Sequence, residues 1–428
     1  MTRQPHGDAD VIVVGAGPAG STAAAHLARG GARVIVLEKA TFPRDKVCGD
    51  GLTPLAVKEL GALGLTPGAD WCRQRGLRVR GGGHELELPW PVVAGFPTYS
   101  LTRPRAEFDT ALARHAQVLG ARVAEGVTAT DVVRGPDGAV SGVETRPSPG
   151  AQANGLPTTL HAPIVLAADG AAARLARKAG RHQLEHRPMG VAASAYFRTE
   201  RETDMMESYL ELWDGPVGKS NLMPGYGWIF PVAPGLVNVG LGTVSSHPAG
   251  AQRASAGASL EKWAAALPDW RLTPDRRVGR IRSGALPMAI NRAPLAAGGL
   301  LLLGDAAGLV SPFNGEGIGH AMVSGRIAAA AALSALGRTT AQGRELALNA
   351  YGRAIGQEIG GYFALGRIFV RLIERPQVMN LCTRYGLPRP VLMRFVMKLL
   401  SGVYARRGGD WMDRVIRTAT RAVPAVRT

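Results

Sequence analysis

The hydrophobic pattern opens with Val11–Val14, an unbroken apolar run of the kind that suits a strand buried on both faces of a parallel sheet. It leads into Gly15, Gly17 and Gly20, a predicted helix over Ala19–Arg29, and a second strand over Arg33–Leu37 that ends at Glu38. Further along, helices are predicted over Pro54–Leu63 and Arg105–Leu119, the latter with Phe108, Leu112 and Leu119 on one side. Leu77–Leu88 reads as extended segments broken at Gly81–Gly83. Strands near Val123–Val133 and Val140–Thr145 flank a Pro136-Asp137-Gly138 turn, and Pro147–Pro157 has the composition of a surface loop. The strand Ile164–Ala168 delivers Asp169-Gly170. Met189–Leu286 is β-rich and aromatic, with a helix over Leu260–Leu267, and a buried strand at Leu300–Leu303 then leads to Gly304-Asp305. A helix follows over Gly317–Leu336, and Gln342–Val423 is helical and basic. No internal repeat is evident.

Asp10–Lys39 therefore holds a complete βαβ unit around a G-x-G-x-x-G turn. The first glycine permits the bend, the second lets a pyrophosphate approach the backbone, and the third lets helix and strand pack closely. The helix aims its free N–H groups and positive dipole end at the phosphates. Glu38 is placed to accept hydrogen bonds from the adenosine ribose and disfavours a 2′-phosphate. A glycine-rich turn alone is weak, but strand, helix and acid occur here in register.

Composition narrows the setting. The 428 residues, 46% apolar, suit a globular chain of two or three lobes rather than a disordered one. No run of eighteen apolar residues is free of charge and the N-terminus lacks an apolar signal core, so a cytoplasmic protein is expected. Cys48, Cys72 and Cys382 have neither metal spacing nor the density of a disulfide scaffold, and no metal site is expected. The formal charge of +17 attracts polyanions, yet no zinc-finger spacing, RNP-like strand or basic-aromatic ladder points to nucleic acid. Leu381–Thr428 alone carries ten Lys or Arg against two Asp. Within it VLMRFVMKLL, Val391–Leu400, sets Arg394 and Lys398 one turn apart, as a helix lying at the inner face of an anionic membrane would. A helix buried against the protein body is the equal alternative.

A second Gly-Asp at a strand end, Gly304-Asp305, suits FAD rather than a nicotinamide nucleotide, because the ribityl chain needs its own carboxylate. The helix starting near Gly317 can offer N–H groups to the flavin edge where negative charge appears on reduction.

Taken together, the glycine triplet, Arg105-x-x-Phe108-Asp109, Asp169-Gly170 and Gly304-Asp305 resemble the para-hydroxybenzoate-hydroxylase-like FAD-binding fold, an α/β fold. FPRDKVCGDGLTP, PGYGWIFP (Pro224–Pro231), NVGLG (Asn238–Gly242) and PFNGEGI (Pro312–Ile318) are similar to the geranylgeranyl reductase family, whose members include reductases of the prenyl tail of menaquinone. The resemblance implies FAD-binding parts at 8–75, 101–188 and 287–340, an antiparallel-sheet substrate lobe from 76–100 and 189–286, and a basic helical region at 341–428. It implies FAD contacts from Gly15, Gly17, Ala19, Gly20, Glu38, Lys39, Arg44, Cys48, Gly49, Arg105, Asp169, Gly304, Asp305, Pro312, Gly315, Gly317 and Ile318.

The implied reaction saturates an isolated double bond of an isoprenoid lipid by hydride from the flavin plus a proton. An unactivated alkene accepts hydride poorly, so the proton comes first or together with it, and the site must shield cationic character. Tyr226, Trp228 and Phe230 alternate on one strand face and would line a prenyl channel with their π-faces; an ordinary aromatic face packed on the core is the alternative. Cys48 is a candidate proton donor or a small buried residue, and His320 and Glu316 are further acid candidates. Ser311, Gly319 and His320 depart from the usual family pattern beside the flavin, which leaves the lipid itself open. The external electron donor is equally open between NAD(P)H, ferredoxin and quinol. A flavin monooxygenase or halogenase shares the fold. Halogenases carry Trp-x-Trp-x-Ile-Pro, from which Tyr226-Gly-Trp228-Ile-Phe230-Pro departs at two places, although Asp169-Gly170 is compatible with a monooxygenase. A flavin-loaded lipid carrier without catalysis is the third reading.

Overall fold

The computed structural model describes residues 7–151, 155–223, 225–245, 249–267, 269–373 and 375–424. Pro224 of the aromatic motif and residues 152–154 of the expected surface loop lie outside the described residues.

Along the chain come β1 (Val11–Val14), α1 (Pro18–Arg29), β2 (Val34–Glu38), α2 (Pro54–Leu63), β3 (Gly76–Gly81), β4 (His84–Pro89), α3 (Arg105–Val118) and β5 (Arg122–Glu125). They are followed by β6 (Val165–Ala167), β7 (Met189–Arg198), β8 (Met205–Tyr209), β9 (Tyr226–Ala233), β10 (Leu236–Ser245) and α4 (Ala249–Ala265). The last part holds β11 (Arg277–Pro287), β12 (Ala296–Ala297), β13 (Leu300–Leu302), α5 (Ile318–Leu336), α6 (Ala341–Ile355), α7 (Gly361–Ile373), α8 (Pro376–Gly386), α9 (Pro390–Ser401) and α10 (Trp411–Ala422).

The apolar run of β1 is buried because it lies between two parallel neighbours, with Ile12 opposite Ile35 of β2 on one side and Val165 of β6 on the other. The whole sheet runs β12-β13-β6-β1-β2-β5, so residues far apart in sequence meet at β1. A second sheet, β11-β7-β10-β9-β8-β3-β4, is mostly antiparallel and is backed by α4. Two sequence boundaries shift. The strand expected over Val123–Val133 is divided at Gly126, whose φ of +71° turns the chain, and the helix expected at Leu260–Leu267 begins earlier.

The C-terminal helices settle against both layers. Met393 and Met397 of α9 pack with Val79, Leu88 and Trp90 of the second sheet. Lys398 is buried and bonds Asp410 (2.8 Å) and Asp413 (2.9 Å), which themselves form the capping box of α10. The basic stripe expected of Arg394 and Lys398 is therefore corrected: a buried ammonium must be paired, Lys398 is spent on that pairing, and Arg394 alone faces solvent.

Helices α1 and α5 cross closely at Gly325. A Cβ at Gly325 would lie 2.4 Å from the Ala19 carbonyl oxygen and 3.0 Å from the Ala23 nitrogen. Gly325→Ala is expected to lower unfolding stability by about 1–3 kcal/mol, the usual cost of overpacking, measured by urea denaturation of the flavin-loaded protein. Unchanged stability would show that the crossing has slack.

Candidate active site

Strand β1 ends at Gly15, where φ is +101° and a Cβ would sit 2.3 Å from the Ala168 carbonyl oxygen, so no side chain fits. Gly20, in the first turn of α1, would press a Cβ to within 1.9 Å of the Gly15 carbonyl oxygen. Gly17 caps α1 without a side-chain hydrogen bond, Pro18 and Ala19 follow it, and the first turn has no acid. A Cβ on Gly17 would meet only the Arg44 guanidinium, at 3.7 Å. The positive end of α1 thus faces space bounded by a cation, as an anion site requires.

Glu38, at the end of β2, accepts hydrogen bonds from the backbone N–H groups of Ala16 (3.0 Å) and Ala40 (3.1 Å). Arg44 bridges Glu38 (3.3 Å) and Asp109 (2.8 Å), and Arg105 grips Asp109 with two hydrogen bonds of 2.8 and 2.7 Å. The expected cofactor residues Glu38, Arg44 and Arg105 are thereby joined through Asp109, which the sequence marks as part of the Arg105-x-x-Phe108-Asp109 motif but not as the link between them. Lys39 is exposed. Asp169 accepts from the N–H of Leu175 (2.9 Å), where it serves a short following helix; its Cα lies 3.2 Å from where a Gly15 Cβ would stand.

The other end of the cleft is built by β13. Asp305 follows Gly304 in a 3-10 turn and pairs with Lys46 at 2.9 Å. Burial, the largest influence on Asp305, pushes its carboxyl up, but the charge and hydrogen bond of Lys46 together hold it below its ordinary value. Gly317, the uncapped N-cap of α5, would bring a Cβ to 3.4 Å from Asp305 Oδ1. At Gly304 a Cβ would meet Ala19 of α1 at 3.0 Å and Ala321 of α5 at 3.2 Å, so both helices start side by side. Gly315 holds φ at +70°, and Pro312 and Ile318 are buried around it. Two uncapped helix N-termini, a carboxylate at each end and the Arg44 guanidinium, whose Nε is buried without a partner among the described residues, fit the charge pattern of FAD.

Tyr226, Trp228 and Phe230 share one face of β9, with ring centroids 5.9 and 6.3 Å apart. The opposite face turns to α4: a Cβ on Gly227 would run into the Trp263 ring at 2.3 Å. The Tyr226 hydroxyl donates to the Asn314 carbonyl (2.7 Å), tying the row to the Pro312–Ile318 loop. Trp228 is buried, its indole N–H donates to Asn238 Oδ1 (2.9 Å), and a Cβ on Gly49 would stand 3.1 Å from that same nitrogen. The aromatic row is thus held between two loops, Cys48–Gly51 and Asn314–Glu316. Trp228 also works as a packing wall, so the channel and core readings of this face overlap at that residue.

Asp50, which sequence reasoning passed over, organises the first of these loops. It has φ +61°, is fully buried, and accepts from the Tyr196 hydroxyl (2.7 Å), Asn238 Nδ2 (2.7 Å) and the Arg105 backbone N–H (3.2 Å). Burial pushes its carboxyl up to about 7 against these hydrogen bonds and the Arg105 charge. The one sequence signal was an Asp between two glycines, a residue type that tolerates the left-handed region. Cys48 is raised above its ordinary value by burial, which outweighs the Arg105 charge, and is a thiol at neutral pH. Glu316 accepts from the Thr53 hydroxyl, has a second oxygen buried without a partner among the described residues, and is pushed by burial up to about 7. His320 stacks on Tyr362 and meets a tilted Phe363 ring, both of α7; burial lowers it to about 4, so it is neutral at pH 7.

A parallel sheet entered through a dinucleotide turn, an antiparallel lobe above it and a second carboxylate at the far end define an FAD-dependent flavoprotein of the para-hydroxybenzoate-hydroxylase-like class. Residues 8–353 match the family described as FAD binding domain. The chain belongs to that family and, within it, to the geranylgeranyl reductase family of FAD-dependent oxidoreductases. It is similar to a menaquinone reductase of Mycolicibacterium smegmatis, 35% identical over 415 residues that cover 96% of each chain. A digeranylgeranylglycerophospholipid reductase of Methanothermobacter thermautotrophicus is 30% identical over 82% of this chain and 83% of its own. Among solved structures, a geranylgeranyl bacteriochlorophyll reductase-like protein of Thermoplasma acidophilum superposes with a TM-score of 0.75 over 96% of this chain and 99% of its own, at 22% identity. A flavin-dependent brominase gives 0.72 over 96% and 98%, also at 22% identity. Both likenesses show the fold alone.

Glu38→Ala and Asp305→Ala are each expected to yield protein with little bound flavin, read from the yellow absorbance after purification and from FAD released on denaturation. Full flavin content in both would remove these two carboxylates from cofactor binding.

Proposed function

We propose that this protein reduces isolated double bonds in the polyprenyl chain of an isoprenoid lipid, adding one hydride and one proton to each. The observation that carries the reading is the aromatic row between the two flavin-side loops, in a chain whose likeness to a menaquinone reductase extends over 96% of its length. FAD, when bound, supplies the hydride.

The remaining work falls to the chain's own side chains. Tyr226, Trp228 and Phe230 supply apolar surface for a prenyl unit and π-faces toward positive charge developing on its carbon, an interaction worth about 2 kcal/mol when water is excluded. The hydrogen bond from Tyr226 to Asn314 and the indole bond from Trp228 to Asn238 hold two of the three rings in place before substrate arrives. Cys48 is the proton donor in this reading, because it is a thiol at neutral pH and lies close enough to Tyr226 for its charge to be felt there. Glu316, with its orphaned oxygen, is the competing acid. His320, neutral at pH 7, is not given that role.

Contact with a membrane forms part of the same reading, since the substrate is a lipid. Exposed Ile368 and Leu372 on α7, Val391 and Leu392 on α9, and Trp411 and Val415 on α10 are accompanied by exposed Arg371, Arg394 and Arg414. Apolar residues with a basic rim suit an anionic bilayer surface. No helix among the described residues is long and apolar enough to cross a membrane.

Anaerobic turnover of a polyprenyl lipid with dithionite-reduced protein is expected to give a product that gains two hydrogens per double bond and no oxygen, read by mass spectrometry. A requirement for oxygen, or a product bearing oxygen or halogen, would replace this reading with a hydroxylase or halogenase. Loss of activity in Glu316→Gln with retention in Cys48→Ala would move the acid role to Glu316. In co-sedimentation, binding is expected to favour anionic over neutral vesicles and to weaken as salt rises. Equal, salt-independent partitioning would remove the electrostatic contribution.

A further inference from the structure

Each double bond reduced consumes a proton, and a thiol that has given one away needs another before the next turnover. The aromatic row closes one side of the Cys48 loop. Across the same face of the second sheet the side chains continue in register, Phe230 of β9 opposite Asn238 of β10, then Tyr196 of β7, then Val278 of β11. At the far end of this row lies a cavity of about 260 Å³, lined by Lys46, Cys48, Ser194, Tyr196, Asn238 and Arg282 among others. Its rim reaches solvent, since Lys46, Asp45 and Arg282 are each exposed over a third or more of the side chain.

We infer that this cavity is a proton inlet, through which Tyr196 and Asp50 reload the Cys48 thiol after each turnover; the inference rests on the proposed reduction. Tyr196 lines the cavity and donates its hydroxyl proton to Asp50 Oδ2 at 2.7 Å. Asp50 is two residues from Cys48, and its own N–H bonds the Cys48 sulphur. The groups facing Asp50 are Tyr196 from β7, Asn238 from β10, Arg105 from α3 and Cys48 from its own loop. The Arg105 guanidinium is bonded to Asp109 by two hydrogen bonds and also reaches the Cys48 sulphur, and its charge lowers Asp50 by less than burial raises it. A carboxyl buried without an ion pair among the described residues is costly in its charged form. Here burial keeps a proton on it up to about pH 7, where it can be passed on.

The balance is one of protons alone. The Cys48 S–H breaks as a C–H bond forms on the lipid, leaving a thiolate. The Asp50 O–H breaks as the S–H re-forms. Asp50 then takes the Tyr196 hydroxyl proton while Tyr196 takes one from water in the cavity. One solvent proton enters per double bond, and no electrons move along the path.

The test uses flavin-loaded protein with dithionite as reductant and a polyprenyl lipid as substrate. Asp50→Asn keeps one carbonyl oxygen for the Tyr196 and Asn238 donors, which share Oδ2, and loses the Oδ1 acceptor of the Arg105 N–H, so flavin content and the rate of flavin reduction are measured first and are expected to be kept. Its first turnover draws on the proton already on Cys48, whereas steady turnover is expected to fall at least tenfold and to recover in part with added imidazole. Tyr196→Phe is expected to behave likewise. Equal loss in the first and later turnovers, or no loss in either variant, overturns the inlet. A second arm needs no lipid, so it is independent of the proposed reaction: alkylation of Cys48 by iodoacetamide across pH 6–9, read at its own peptide because Cys72 and Cys382 also react. Charge on Asp50 raises the thiol, so the wild-type rate is expected to climb less steeply above about pH 7. Asp50→Asn should keep the steep climb and react several-fold faster at pH 8.5. Identical profiles, or no alkylation at all, break the link between Asp50 and Cys48.

Discussion

The close crossing of α1 and α5 is the constraint on which the site depends. Two helices can begin side by side only where little side chain stands between them, and glycine meets that need at Gly325, against the α1 backbone, and at Gly304, between Ala19 and Ala321. With the crossing set, the positive ends of both helices point into one cleft, and strands from opposite ends of the chain deliver Glu38 and Asp305 to either side of it. A side chain wedged into the crossing would separate the two dipole ends and the two carboxylates together. Binding geometry and stability are therefore determined by the same contacts.

The second sheet reaches this cleft through polar groups rather than through apolar packing alone. Asn238 touches three things at once: the Trp228 indole, the Cys48 carbonyl and the Asp50 carboxylate. Such a fully bonded buried cluster fixes one arrangement of loop and sheet, since any shift would leave several polar groups unpaired in a dry interior. Ser194, whose hydroxyl donates to the Cys48 carbonyl at 3.1 Å, adds a further tie from β7. The loop that carries the candidate proton donor is thus positioned from the lobe opposite the nucleotide turn.

Much of this was legible from local pattern. The βαβ unit, the Gly304-Asp305 strand end and the shared face of Tyr226, Trp228 and Phe230 follow from spacing alone, because one helix, one strand or one turn determines each. Asp50, Asp109 and Asn238 were not legible as a group. Asp50 is bonded by residues 55 to 188 positions away, Asp109 is bonded by Arg44 65 positions away as well as by nearby Arg105, and Asn238 reaches the Cys48 loop about 190 positions back, so no short window contains the bonds that join them. Lys398 was misread for a related reason: its apolar neighbours and Arg394 describe an amphipathic helix, whereas the two aspartates that bury it come from the next one. The separation of β5 from the strand after it turns on the single glycine Gly126, which stands between segments of similar strand-forming composition.

Phe313 of the glycine-bearing loop packs at a tilt against Tyr362 (ring centroids 4.7 Å apart) and Phe369 (5.3 Å), and a Cβ on Gly366 would stand 2.4 Å from the Pro312 ring. All three partners belong to α7, beyond residue 353, where the match to the FAD-binding family ends. The rear wall of the Pro312–Ile318 loop is therefore contributed by a region that the family boundary leaves out. The C-terminal helices cannot be exchanged as an independent module, because a graft at that boundary would have to rebuild the aromatic bed on which Phe313 rests. Divergence in this tail is consequently tied to the catalytic lobe, and a chain cut at residue 353 would lack part of its own active-site foundation.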